Sequence, residues 1–279
     1  MELLWLDPNY ASLLSEHGLR QFGDFMACSR ATVIRYRQNG SRHVALLSLG
    51  RMETYLKREF RIAYGEKLRN WWDGFGTVGK SLREWRMLRW ARRAGFTTPL
   101  PLACGQHGRQ AFLLTAALTD FVPLDKYVAG ASEGELRQLG RSLPRWLARW
   151  HACGFIHPDL YAWHVFVRVT DQQLAILDLA RADWLEKVPW PERWRELALL
   201  GASLSESEWV WQVWDDVLET YLNTVESLQP HQAIRNREFA KNAVHRRMEL
   251  WASWVSARQQ EEEQCRAVLV SRLYTHDRV

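Results

Sequence analysis

Apolar and polar residues alternate through Ala31-Thr32-Val33-Ile34-Arg35-Tyr36 and again through His43-Val44-Ala45-Leu46-Leu47. A period of two is what a half-buried strand requires. Between the runs stands Asn39-Gly40, a dipeptide suited to the positive φ angles of a tight turn, so the segment predicts a β-hairpin. Thr54-Tyr55-Leu56-Lys57 predicts a third strand. The basic, glycine-punctuated stretch over 65–79 reads as a loop, with Trp71-Trp72 beside Asp73-Gly74 in a position where aromatic rings face a lipid interface. The period then lengthens: Leu82, Trp85 and Leu88 predict a helix that opens at Ser81 and stops at Gly95. Ala111-Phe112-Leu113-Leu114-Thr115 predicts a strand running into a polar connector with Pro123.

Past that connector the pattern is helical. Leu136, Leu139, Leu143, Leu147 and Trp150 form one apolar face closed by Gly154, and Pro144 is expected to interrupt it. Two short runs, Val165–Val169 and Leu174–Leu177, turn at Asp171 and predict a hairpin. From Trp194 onward everything predicts helices, ending in a charged tail, and neither a repeat nor a low-complexity linker is present. The expectation is an α+β protein in two lobes. Residues 1–116 would hold an antiparallel sheet with one helix, and 117–279 a mostly helical lobe.

Composition narrows this picture. No apolar run approaches the ~20 residues that span a bilayer, and Met1-Glu2-Leu3-Leu4-Trp5-Leu6-Asp7 lacks the basic start of a secretory signal. Cys28, Cys104, Cys153 and Cys265 form no CxxC pair, so reduced thiols are expected and structural zinc is not. The formal charge is +5, yet Lys57 to Arg93 alone carries eleven Lys/Arg against four Asp/Glu. Such an excess suits either a solvated helix face or an anionic partner.

The chemistry concentrates in Ile156-His157-Pro158-Asp159-Leu160-Tyr161-Ala162-Trp163-His164, followed across the hairpin by Ile176-Leu177-Asp178-Leu179-Ala180-Arg181. A loop carboxylate such as Asp159 can take the proton of an attacking hydroxyl, while a histidine such as His157 fixes the loop. A second carboxylate, Asp178, can hold Mg²⁺ on ATP phosphates, because magnesium is a hard ion that prefers oxygen. Lys57 on a strand and Glu84 on the following helix supply the phosphate-positioning pair. Three of these residues also have a simpler reading, whereas Asp159 and Asp178 stand at strand boundaries after apolar runs, where function is the better account. Glu84 lies three positions after Ser81, the spacing of a capping box. Lys57 can be a solvated strand-end lysine, and His164 stands evenly between a metal-site and a structural role. Asp171, His107 and His231 are read as structural.

Taken together, Tyr55-Leu56-Lys57, Arg83-Glu84-Trp85, His151-Ala152-Cys153-Gly154-Phe155-Ile156-His157, the Asp159-to-His164 loop and Leu177-Asp178-Leu179-Ala180-Arg181-Ala182 resemble the lipopolysaccharide core heptose and Kdo kinases. Arg193-Trp194-Arg195 fits the same pattern, and the likeness runs from about Thr54 to Gly201. The resemblance implies a bilobal protein-kinase-like fold and a bacterial, ATP- and Mg²⁺-dependent phosphotransferase of lipopolysaccharide biosynthesis. By that resemblance Asp159 is the catalytic base, assisted by His157; Asp178 with His164 is the metal site; and Lys57 with Glu84 binds the nucleotide. The acceptor would be a heptose or Kdo at the cytoplasmic face of the inner membrane, with peripheral attachment to anionic lipid and no role for nucleic acid. The segments Lys57–Arg93 and Arg235–Arg247 are the candidates for facing that lipid.

Pro158 stands where protein kinases carry the Arg that receives a phosphorylated activation loop. Only 17 residues separate Asp178 from Glu196, short for a peptide-docking platform, which favours a sugar or small-molecule acceptor over a protein. Two rivals remain at this point. A small-molecule kinase of the aminoglycoside or choline type would have Asn in the place of His164, and a pseudokinase would bind a partner without turnover.

Overall fold

The computed structural model describes residues 2–36 and 40–276, with side chains through Glu261 apart from Tyr36. Asn39 of the expected turn lies outside the described residues, whereas Gly40 has the positive φ, +64°, that such a turn needs. The chain divides into two units, one built mainly from residues 1–93 and 98–119, the other from 94–97 and 120–262.

The first unit is organised by a six-stranded antiparallel sheet. Its strands are β1 (Glu2–Leu6), β2 (Thr32–Tyr36), β3 (Arg42–Leu49), β4 (Met52–Glu59), β5 (Pro101–His107) and β6 (Gln110–Ala116), in the spatial order β1-β5-β6-β4-β3-β2. The β2–β3 hairpin and β4 lie where the alternation places them. Strand β4 shows what the alternation is for. Thr54, Leu56 and Arg58 are buried on one face, where helices α1 (Ala11–Glu16) and α2 (Phe22–Ala27) pack. Arg58 donates there to the carbonyls of Met26 (3.2 Å) and Cys28 (2.7 Å), and Phe25 stacks on Phe112 with centroids 4.2 Å apart. Lys57 and Glu59 point to the opposite face, toward α4 (Lys80–Arg93).

Three helices thus accompany the one expected, the third being α3 (Tyr64–Trp72). It replaces the loop read over Trp71-Trp72. Gly65, Gly74 and Gly76 give the segment the look of a loop although Tyr64, Leu68, Trp71 and Trp72 keep helical spacing, and those four side chains are all exposed. The opposite side is held by Asn70, which is buried and donates to the Val78 carbonyl at 2.7 Å. Helix α4 begins one residue before Ser81, so Ser81 is inside the helix rather than its cap; its N–H donates to Glu59 Oε1 at 2.6 Å.

In the second unit β7 (Phe121–Pro123) leads into α5 (Leu124–Gly130) and then α6 (Glu133–Ala152), which a Ser132/Glu135 capping box starts. Helix α6 runs unbroken through Pro144. Burial of Leu143, Pro144 and Leu147 outweighs the local cost of the proline. Gly154, at φ +87°, ends this stretch; a Cβ there would lie 2.2 Å from the Leu185 carbonyl oxygen. Next come β8 (Phe155–Ile156), the hairpin β9 (Val165–Arg168) and β10 (Leu174–Ile176), and β11 (Asp183–Trp184), which pairs with β8. Helices α7 (Trp190–Ala202) and α8 (Glu208–Leu228), with α8 packed along α6, and α9 (Arg237–His276) as far as Glu262 complete the unit. The hairpin turn is fixed by Asp171, which accepts from the Arg168 guanidinium and the Gln173 N–H. Those bonds lower its carboxyl to about 2.

Candidate active site

In the first unit the sheet and α4 bring two predicted residues together. Lys57 Nζ meets Glu84 Oε1 at 2.5 Å, with Glu84 only 2% exposed. Because odd positions of β4 face the helix, the lysine is presented to that side while its neighbours Leu56 and Arg58 go to the core. Glu84 is therefore the partner of a strand lysine and not a capping residue. Arg42 on β3 approaches from the other side, its Nη2 lying 3.7 Å from Glu84 Oε2.

In the second unit β8 delivers the chain into His157-Pro158-Asp159. The His157 imidazole is fully buried. Its Nδ1 accepts the Asp159 N–H at 3.2 Å, which makes Nε2 the donor to the Leu177 carbonyl at 3.0 Å. The His164 Nδ1–H donates to the Asp159 carbonyl at 2.7 Å, leaving a lone pair on Nε2. Burial pushes the His164 imidazole below its ordinary pKa, opposed chiefly by the Asp178 charge, so the neutral ring is favoured. The two rings stack 5.6 Å apart. The Leu177 N–H then donates to the His164 carbonyl at 2.9 Å, so two bonds stitch the loop to the hairpin end and a third, from His164 to Asp159, braces the loop itself. Asp178 follows directly, at φ 54° and ψ 52°. Aspartate is among the few residues that tolerate that left-handed conformation.

Two partners escaped the sequence reading. The first is Arg181, whose Nη1 donates to both carboxylate oxygens of Asp159 at 2.7 and 2.8 Å. Its position three residues after Asp178 was the available signal. The second is a buried chain of polar groups beneath the loop. Glu196 accepts the His157 N–H at 2.8 Å through Oε1 and meets His151 Nε2 at 3.2 Å through Oε2. His151 Nδ1 lies 2.7 Å from the Tyr221 hydroxyl, on which Arg193 Nη1 converges at 3.5 Å. A neutral His151, protonated on Nε2, satisfies every link. Burial raises the Tyr221 phenol well above its usual range. Arg193 is itself fully buried and also donates to Gln229 and Gln232, each at 2.9 Å. The fully buried acid of α7 is thus Glu196, inside the Arg-Trp-Arg-Glu run. His107 packs edge-on to Phe22, and His231 is exposed in a short 3-10 turn.

A strand lysine braced by a helix carboxylate, and a loop aspartate tied to a hairpin aspartate, are the parts that phosphoryl transfer uses. Comparison with solved structures agrees with this at the level of the fold. WaaP in complex with acyl carrier protein matches with a TM-score of 0.65 and 20% identity over 88% of this chain and 98% of that one. An aminoglycoside-3'-phosphotransferase of type VIII (TM-score 0.43, 15% identity, 78% and 93% covered) also matches. So does the bifunctional kinase-methyltransferase WbdD (0.44, 18%, 73% and 47%). The fold is protein-kinase-like.

Residues 35–221 match the profile of the lipopolysaccharide kinase (Kdo/WaaP) family. That is more than half of the chain, and the protein belongs to this family of lipopolysaccharide kinases. No curated protein matches it.

Proposed function

We propose that the protein transfers the γ-phosphate of ATP to a heptose or Kdo hydroxyl of the lipopolysaccharide inner core, with residues 1–116 holding the nucleotide and 117–279 the acceptor. Asp159 accepts the proton of the attacking hydroxyl as the new O–P bond forms and the bond to the β-phosphate oxygen breaks, releasing ADP. His157 keeps the loop in place, and Lys57, braced by Glu84, positions the phosphates. Asp178 and the free lone pair of His164 Nε2 would hold Mg²⁺, which supplies neutralisation of phosphate charge. Among the described residues no three His, Cys, Asp or Glu side chains gather into a complete metal cage. That suits an ion completed by phosphate and water.

The observation that carries this reading is the stitching of Asp159 to the Asp178 turn through His157 and His164. It also favours a core-sugar kinase over an aminoglycoside- or choline-type enzyme, since the His164 ring fills the position where Asn would stand. An intact Lys57–Glu84 pair speaks against a pseudokinase. Among the described residues no helix is long and apolar enough to cross a membrane, and we place the enzyme peripherally at the cytoplasmic face of the inner membrane. The test compares ATP turnover by wild type and Asp159→Ala, alongside mass spectrometry of the core oligosaccharide from cells with and without the protein. Loss of one phosphate with the protein absent, and of turnover in the variant, is the expected result. Equal and negligible turnover in both proteins would instead establish a scaffold.

A further inference from the structure

Helix α3 carries an exposed apolar stripe. At 3.6 residues per turn, Tyr64, Leu68, Trp71 and Trp72 fall within an arc of about 100°. They are 73%, 64%, 56% and 82% exposed. Four large apolar side chains side by side on a short helix are unusual on a free surface, where such residues normally occur singly. The helix is not loose. Asn70, on its opposite side, donates to the Val78 carbonyl at 2.7 Å and accepts from Arg83 at 3.0 Å. The stripe is therefore held outward by a fixed inner face.

Charge says what covers it. Lys67 borders the stripe on one edge and Arg69 on the other, with Arg61 just ahead of the helix. Arg109, from the β5–β6 turn, lies over the Tyr64 ring at 4.5 Å. Lys67 Nζ donates to the Gly108 carbonyl of the same turn at 2.7 Å. The acids of this segment are already engaged inward: Glu66 with Lys80 at 3.7 Å and Asp73 with Arg83 at 2.5 Å. An aromatic stripe inside a cationic rim is the pattern of a helix lying flat in an anionic bilayer surface.

We infer that α3 is the membrane-docking element, inserting Tyr64, Leu68, Trp71 and Trp72 among the headgroups of an anionic bilayer while Arg61, Lys67, Arg69 and Arg109 meet lipid phosphates. This rests on the reading that the acceptor sugar is lipid-linked, and it deepens that reading by naming the surface that brings the enzyme to it.

The test is co-sedimentation of the full chain with vesicles of phosphatidylglycerol and phosphatidylethanolamine, with phosphatidylcholine vesicles as the uncharged arm. Wild type is expected to partition onto the anionic vesicles. The L68S/W71S/W72S variant is expected to lose roughly tenfold or more of that partition. K67E/R69E is expected to lose partition mainly at low salt. Leu68, Arg69, Trp71 and Trp72 are exposed and Lys67 gives up only its bond to the Gly108 carbonyl, so the circular dichroism spectrum stays as in wild type and the melting temperature close to it. Phosphorylation of a delipidated acceptor is unchanged in both variants, while that of vesicle-embedded acceptor falls. Undiminished partition of the triple variant overturns the inference. So does a wild type that ignores vesicles but binds an acidic carrier protein through this face. Failure to phosphorylate any core sugar would sink the proposed function and leave the vesicle result standing.

Discussion

Glu196 bears more of the candidate site than any residue that would touch substrate, and its removal gives the sharpest quantitative expectation. Replacing it with alanine strips the acceptor from two buried donors, the His157 N–H and the His151 Nε2–H. Each stranded donor costs about 1–3 kcal/mol, and breaking a buried charged network by removing one partner costs about 3–5 kcal/mol as a whole. Glu196→Ala should therefore lose about 3–5 kcal/mol, a large share of the roughly 5–15 kcal/mol that a domain of this kind has. Glutamine is milder. Its carbonyl still accepts from His157, but its amide donates, so His151 must move its proton to Nδ1 and the Tyr221 hydroxyl loses its acceptor. That amounts to about 1–2 kcal/mol, together with roughly tenfold slower transfer as the Asp159 loop loosens. Urea unfolding of the three proteins reads the stabilities, and a coupled assay for ADP reads the rates. If Glu196→Ala unfolds within about 1 kcal/mol of wild type, the loop does not depend on this network and the reasoning is wrong.

Two further outcomes follow from other contacts. Arg181→Ala removes an exposed ion pair and should shift unfolding by less than about 1 kcal/mol, yet slow transfer roughly ten- to a hundredfold because the Asp159 carboxylate loses its orientation. Partial activity in Arg181→Lys would confirm that a cation is required there, whereas full activity in Arg181→Ala would remove the residue from the site. His43 is 8% exposed and packs edge-on to Phe60. Burial first, and then the Arg58 charge, lowers its imidazole from the ordinary 6.5 to about 4. Between pH 6.5 and 4 the unfolded chain takes up this proton and the folded chain does not, so acid favours unfolding. His43 therefore contributes full stability above pH 6.5 and loses it on the way down to pH 4. Melting temperatures of wild type and His43→Gln across that window should converge toward the acid end; a constant gap would contradict the assignment.

The residues that sequence alone exposed are those whose role shows in spacing. Strands β2, β3 and β4 alternate, β6 is a short continuous apolar run, and α4 and α6 keep one apolar stripe, so each is visible within a short window. The His157–Asp159–His164 loop and Asp178 stand out as polar groups at the ends of apolar runs. What stayed hidden is what depends on partners far along the chain. Strand β1 pairs with β5, about a hundred residues on. Arg42 on β3 was not foreseen beside the Lys57–Glu84 pair that the sequence did expect. Glu196 and Tyr221 act on a loop 39 and 70 residues from them, respectively counted to His157 and from His151. Helix α3 was missed for a different reason: Tyr64, Leu68, Trp71 and Trp72 keep helical spacing, but Gly65, Gly74 and Gly76 punctuate the segment as a loop would.

Lys57 and Arg58 are neighbours on β4, one directed at Glu84 and the other sealed beneath α2. A slip of the strand by a single residue would exchange them. Arginine would then meet the glutamate, and a cation–carboxylate pair would still form. Electrostatics alone therefore cannot reject the shifted strand. Rejection comes from Leu56, 0% exposed, and Tyr55, 36% exposed, which would trade places and leave the leucine in solvent. The aliphatic residue beside the lysine is what guards the correct alignment, and a polar replacement at position 56 should weaken that discrimination.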